Sequence, residues 1–238
     1  MDKIPTGSRI LDKLLDGGYE KDVITTIYGP AGSGKTNLCI LCGANTVRLG
    51  KKVIYVDTEN NFSLERFRQI CSSINQDYKK LLNSVVFLKP VSFDEQNKTL
   101  EKLRQEINSK IGLIIIDSIA MLYRLELGKA NDVYEVNNDL GKQLAYMKEI
   151  ASKNNIPVLI TNQVYADFDE KEKINLVGGD LLKYGSKCLL ELQITPSGNR
   201  RAIIKKHRHL PAEKEMTFKI VEGGIIGTKE GKGFRFFK

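Results

Sequence analysis

The stretch VITTIYGPAGSGKTNLCIL, residues 23–41, decides the fold. Its β-branched opening, Val23 to Tyr28, reads as a strand that runs into a glycine-rich loop, and the apolar segment Thr36 to Leu49 that follows is compatible with a helix. Gly29, Gly34, Lys35 and Thr36 stand at the fixed positions of the pattern G-x-x-x-x-G-K-[ST]. Glycines let backbone N–H groups close around phosphates, Lys35 adds a point charge near the β and γ positions, and the Thr36 hydroxyl is a ligand for Mg²⁺. The residues expected to touch the nucleotide here are Gly29, Pro30, Ala31, Gly32, Ser33, Gly34, Lys35, Thr36 and Asn37. A glycine-rich turn without a ligand is the competing reading, and the strand, loop and helix setting speaks against it.

The alternation continues outward from this loop. A second strand, Val53 to Asp57, leads through Thr58-Glu59-Asn60 into a helix carrying Leu64, Phe67, Ile70, Cys71 and Ile74 at helical spacing. Next come a strand at Val85 to Leu88 and a helix with Leu100, Leu103 and Ile107 on one face. Leu113 to Asp117 is unbroken aliphatic, which fits a strand buried on both faces of a parallel sheet. Val136, Leu140, Leu144, Met147 and Ala151 mark the stripe of a long helix, and the strand Pro157 to Thr161 opens with proline where strands tolerate it best. After Asn162 the alternation stops: Cys188 to Ile194, Arg200 to Lys206 and Met216 to Val221 read as short strands joined by turns. The expected fold is an α/β phosphate-loop core, with a mostly parallel central sheet, helices on both faces and a β-rich C-terminal extension of the sheet.

With 238 residues the chain suits one large domain, 1–238, ending in a flexible basic and aromatic tail, 229–238. No apolar run approaches the roughly 20 residues of a membrane helix, and the N-terminus lacks the apolar core of a secretory signal; a cytoplasmic location is expected. Cys39, Cys42, Cys71 and Cys188 are too few and too scattered for a disulfide framework. Cys39-x-x-Cys42 lies in the apolar segment behind the phosphate loop and reads as two small buried side chains rather than a metal or redox pair. Of the net charge of +8, residues 199–238 carry eleven basic and four acidic side chains, which leaves +1 for the rest. That asymmetry suits a polyanionic partner or a solvated surface.

Asp117 ends an aliphatic strand, as a carboxylate must to reach the sheet's C-terminal edge and hold a magnesium-bound water beside the phosphate loop. Its neighbour is Ser118, so the hydrolytic base lies elsewhere. Glu59, just past the strand Val53 to Asp57, is the candidate to activate a water against the γ-phosphate. A plain surface carboxylate at a strand end is the other reading.

Five stretches together, IPTGSRILDKLLDGGYEKDVITTIYGPAGSGKT (4–36), VIYVDTENNFSLERF (53–67), LIIIDSIAMLYR (113–124), VLITNQV (158–164) and KKHRHLP (205–211), make the chain similar to the RecA-type recombinase family. The likeness is strongest to an archaeal branch of recombinase paralogues and spans nearly the whole chain. It implies a RecA-like ATPase core using ATP and Mg²⁺. Glu59 then resembles the family's catalytic glutamate, Asp117 and Thr36 its magnesium site, Arg66 the arginine lying against adenine, and Gln163 a sensor that ends its strand between the γ-phosphate and a DNA-facing loop. Lys206 and Arg208, expected to alternate along one strand face, resemble residues that reach a neighbouring subunit's γ-phosphate. Pro211 resembles the proline that covers a neighbour's adenine. The same KKHRH stretch equally suits nucleic-acid phosphate contact, so the expected DNA set is Arg124, Lys129, Arg200, Arg201, Lys205, Lys206, His207, Arg208 and His209.

The resemblance implies a weak ATPase that binds single-stranded DNA and assists the main RadA-type recombinase and other repair proteins, with a second copy of the chain as a further candidate partner. The chain starts at the ATPase core, without the N-terminal helical DNA-binding domain or docking linker of full strand-exchange recombinases. Two loops are expected to face DNA, Arg124 to Val133 and Val164 to Lys183; the second carries five acidic residues against three lysines and is a poor cradle for phosphates. A clock-type signalling ATPase of the KaiC kind and a non-hydrolysing ATP-binding adaptor are the alternatives.

Overall fold

The computed structural model describes residues 2–166 and 174–228. The charged stretch 167–173 and the tail 229–238, both singled out in the sequence, lie outside the described residues. The chain opens with β1 (Lys3–Ile4), α1 (Arg9–Leu14), β2 (Tyr19–Glu20), β3 (Ile24–Gly29) and α2 (Lys35–Arg48). It continues through β4 (Lys52–Asp57), α3 (Leu64–Ser73), α4 (Tyr78–Leu82), β5 (Val85–Leu88), α5 (Phe93–Glu106) and β6 (Ile111–Asp117). Then follow α6 (Ala120–Leu127), α7 (Val133–Asn154), β7 (Val158–Ala166), β8 (Ile174–Leu176) and α8 (Gly179–Gly185). The last strands are β9 (Cys188–Ile194), β10 (Arg200–Lys206), β11 (Glu215–Val221) and β12 (Gly224–Gly227).

Among the described residues one ten-stranded sheet runs β12-β11-β10-β9-β3-β7-β6-β4-β5, with β8 paired to β7. From β9 to β5 neighbours are parallel; from β9 to β12 they are antiparallel. Helices cover both faces because the parallel strands have two apolar faces to bury. In β6, Leu113 and Ile115 join α2 and α3 in one core, while Ile114 and Ile116 join α5, α6 and α7 in the other. The two-residue period of a strand therefore sorts a run that looks uniform in sequence.

Two expectations are corrected. The loop expected at Arg124 to Val133 begins inside α6, where Ala120, Leu122 and Tyr123 are buried, and the one expected at Val164 to Lys183 holds the end of β7, β8 and most of α8. Gln163 thus lies within β7, three residues before its end. Lys206 closes β10 and Arg208 lies beyond it, after a register shift between Ile204 and Lys206, so the two do not alternate along one strand.

Candidate nucleotide-binding and catalytic site

β3 lies between β9 and β7 and delivers the glycine-rich loop to the C-terminal edge of the sheet. Gly29 is sterically required there: a Cβ would stand 2.2 Å from the carbonyl oxygen of Leu192 on β9. The loop turns at Gly32, φ 72°, where the Ser33 N–H donates to Pro30 O at 3.3 Å. Left-handed Gly34 then starts α2 without a side-chain cap. First-turn N–H groups of a helix lack intrahelical acceptors, so this uncapped end offers donors and a positive dipole to an anion. Lys35 is mostly buried, donates to the carbonyls of Gly29 (2.8 Å) and Pro30 (2.9 Å), and has its pKa lowered by burial.

Asp117 ends β6 at the same edge, in register with Asp57 of β4, and the peptide bond to Ser118 is cis. The Tyr55 hydroxyl donates to its Oδ2 (2.8 Å) and the Thr161 hydroxyl to its Oδ1 (2.5 Å). Burial raises the carboxyl's pKa, and the bonds from Thr161, Thr36 and Tyr55 oppose that. Asp57, in contrast, is consumed by structure: it accepts the N–H groups of Asn61 and Phe62 and shapes the turn that carries Glu59. Glu59 accepts from Ser118 Oγ (2.5 Å), Asn61 Nδ2 (2.8 Å) and Gln163 Nε2 (3.2 and 3.4 Å to its two oxygens).

A cavity of about 560 Å³ unites these groups, lined among others by Gly34, Lys35, Thr36, Glu59, Asp117 and Gln163. That size suits a nucleotide. Its far wall is Arg66, whose guanidinium is held by Asn37 Oδ1, Gln69 Oε1 and the carbonyls of Glu222 and Gly224. Four anchors leave the planar group fixed as a shelf for a flat ring. Sequence reasoning missed Ile40, Asn61, Ser63, Thr161 and Ile220 in this lining. Thr161 was findable, since it lies two residues before Gln163 and strand residues i and i+2 share a face; Ile220 comes from β11, which no motif connects to the phosphate loop.

The remaining expected residues lie elsewhere. β10 runs antiparallel to β9, so Arg200 begins at the nucleotide edge, where its Nη2 donates to Gly32 O at 3.3 Å, and Lys206 ends at the opposite edge. Lys206 donates to the carbonyls of Lys183 and Ser186, Arg201 faces Glu215, and Lys205 faces Glu213 and Glu191. Arg208 pairs with Asp22 (2.8 Å) and Glu20 (3.6 Å), while Pro211 is exposed just beyond. Arg124 borders a small hollow shared with Glu59 and Gln163, and Lys129 is exposed after α6.

Among the described residues Glu20, His207 and His209 form a set with ligand-capable atoms within 4.8 Å of one another. The geometry does not favour an ion: His207 Nδ1 accepts the N–H groups of His209 and Leu210, so the neutral ring carries its hydrogen on Nε2, the atom that faces Glu20. The cluster reads as basic side chains gathered around a buried carboxylate. All four cysteines are buried free thiols whose pKa is raised by burial, that of Cys71 to about 11, in keeping with small core side chains.

A phosphate loop feeding a uniformly directed sheet, strand-end carboxylates beside it and an antiparallel C-terminal extension define a RecA-like core. The Rad51 family profile matches residues 1–228, and the chain belongs to that family. Within it the chain falls in the RadB branch. It is 41% identical over 230 residues to the DNA repair and recombination protein RadB of Methanobrevibacter smithii, covering 94% of this chain and 95% of the relative. With the protein of the same description from Methanocaldococcus jannaschii it shares 42% over 220 residues, 91% of this chain and 98% of the relative. A solved structure described as the RadB recombinase superimposes with a TM-score of 0.81 at 34% identity, covering 95% of this chain and all of the other. The clock-type signalling reading falls with this membership.

Proposed function

We propose that this chain is a magnesium-dependent ATPase of low turnover that acts as one RecA-like domain in DNA repair and recombination. It binds single-stranded DNA and assists a RadA-type recombinase. The observation that carries the reading is the meeting of Lys35, Thr36, Asp117, Glu59 and Gln163 at one cavity, in a chain whose relatives are named for DNA repair and recombination. ATP with Mg²⁺ would supply the anhydride bond and the charge neutralisation of phosphoryl transfer. The chain's part is then divided: the loop amides and Lys35 hold phosphates, Thr36 and Asp117 hold the ion, Arg66 supports the base, Glu59 takes a proton from water, and Gln163 reports the terminal phosphate to the segment beyond β7.

The test is phosphate release with and without single-stranded DNA for the wild type, Lys35→Ala and Gln163→Ala. Lys35→Ala is expected to lose ATP binding, and Gln163→Ala to bind ATP with its DNA response gone. A wild type that binds no ATP would end the proposal. A non-hydrolysing adaptor is the second reading, favoured by the number of donors already engaged with Glu59; ATP binding with no phosphate release under any condition would establish it.

A further inference from the structure

A general base must offer a lone pair to the water it deprotonates. An ionised carboxylate has about four lone-pair sites, and Glu59 has four donor contacts: Ser118 Oγ and Gln163 Nε2 on Oε1, Asn61 Nδ2 and Gln163 Nε2 on Oε2. The two from Gln163 are the longest, 3.4 and 3.2 Å, against 2.5 Å from Ser118 and 2.8 Å from Asn61. Turning Gln163 away therefore frees one site on each oxygen and leaves the two short bonds in place. Those two donors are themselves well fixed. Thr58 Oγ1 donates to Ser118 O (2.7 Å) and accepts from Ser118 N–H (3.0 Å), bracing the end of β6 against the end of β4. Asn61 is set by its own N–H on Asp57 (3.0 Å).

We propose that Asn61 and Ser118 are positioning residues that restrain Glu59, each holding one oxygen of the carboxylate by a bond that must weaken as a proton arrives. This rests on the reading of Glu59 as the hydrolytic base. The restraint explains why one chain combines a complete set of phosphate-site residues with a base that starts from full occupancy: basal hydrolysis is held low, and whatever displaces Gln163 raises it only partway.

The experiment is single-turnover phosphate release at saturating Mg²⁺-ATP without DNA, with ATP affinity measured in parallel. Proteins compared are the wild type, Asn61→Ala, Ser118→Ala, Glu59→Gln and Asn61→Ala/Glu59→Gln. Asn61→Ala and Ser118→Ala are each expected to raise basal release about fivefold, the equivalent of one net hydrogen bond, with affinity changed less than about twofold. In the Glu59→Gln background the gain from Asn61→Ala is expected to vanish, which a merely structural effect would not do. Unchanged or slower release by both single variants, or a gain that survives Glu59→Gln, overturns the proposal. Should Ser118→Ala fail to fold, exposed Asn61 carries the test by itself. If Glu59→Gln matches the wild type, the base reading falls; if Glu59→Gln is inactive while Asn61→Ala matches the wild type, only the restraint falls.

Discussion

Asp117 sits where the demands of binding and of folding oppose each other. To hold a cation it must be ionised, yet it is buried at the end of β6 and burial raises its pKa. A carboxyl whose folded pKa lies above its unfolded value adds stability below the ordinary carboxylate range, and that stability is lost as pH rises through the folded value. Asp117→Asn removes this titration. Its stability relative to the wild type is thus expected to grow from about pH 4 to pH 7, near and above the ordinary carboxylate range, while Mg²⁺-dependent turnover drops. Urea denaturation across that range checks it, and a difference that stays constant with pH would refute the assignment. Lys35, Thr36, Glu59 and Asp117, which the sequence singled out by motif or strand-end position, line one cavity. Asn61 and Ser118 carried no such signature, since their importance lies in which oxygen each one touches.

At the scale of elements, length decided legibility. The stripe of α7 repeats through 22 residues, and Val136, Leu140, Leu144, Met147 and Ala151 are all buried as the spacing predicted. Helix α6 has eight residues and α8 seven, too short for a periodicity to stand out, and the second half of α6 and most of α8 overlap stretches expected to be loops. Leu140 is fully buried between α7 and the sheet core. Leu140→Ala is expected to cost about 2–5 kcal/mol, from lost transfer energy and the cavity left behind. Asp132 caps α7 by accepting the Tyr134 N–H at 2.7 Å, and Asp132→Ala is expected to cost only about 1 kcal/mol. Urea unfolding of the two variants measures both, and a smaller loss for Leu140→Ala than for Asp132→Ala would contradict this placement of the core.

Across the whole molecule the sheet separates two chemistries. The nucleotide cavity opens at the C-terminal edge of the parallel strands, whereas Lys206 closes the far end of β10 and Arg208 and Pro211 lie beyond it. They are therefore remote from this chain's own nucleotide cavity. Arg208 has a further role in its own chain: among the described residues Glu20 is buried with neither oxygen hydrogen-bonded, and Arg208 is its nearest permanent cation at 3.6 Å. Removing the partner of a buried charge costs more than the pair contributes. Arg208→Ala is expected to destabilise the fold by about 1–3 kcal/mol, whereas Lys206→Ala, which loses contacts to the carbonyls of exposed Lys183 and buried Ser186, is expected to cost less, about 0.5–1 kcal/mol. Thermal or urea denaturation separates the two, and equal losses would remove the special position of Arg208. The succession of strands and helices, the buried helix faces, the phosphate loop and the strand-end carboxylates were determined by the sequence alone, because each rests on local periodicity or on a motif whose geometry is built from adjacent residues. Only the tertiary structure decided that β11 supplies a wall of the cavity, that His207, Arg208 and His209 are drawn onto Glu20 and Asp22, with Lys205 and Lys206 held elsewhere, and that Glu59 is encircled by Ser118, Asn61 and Gln163. Apart from Asn61, two residues from Glu59, those contacts join residues far apart in the chain, and their energies depend on burial and register that no local pattern encodes.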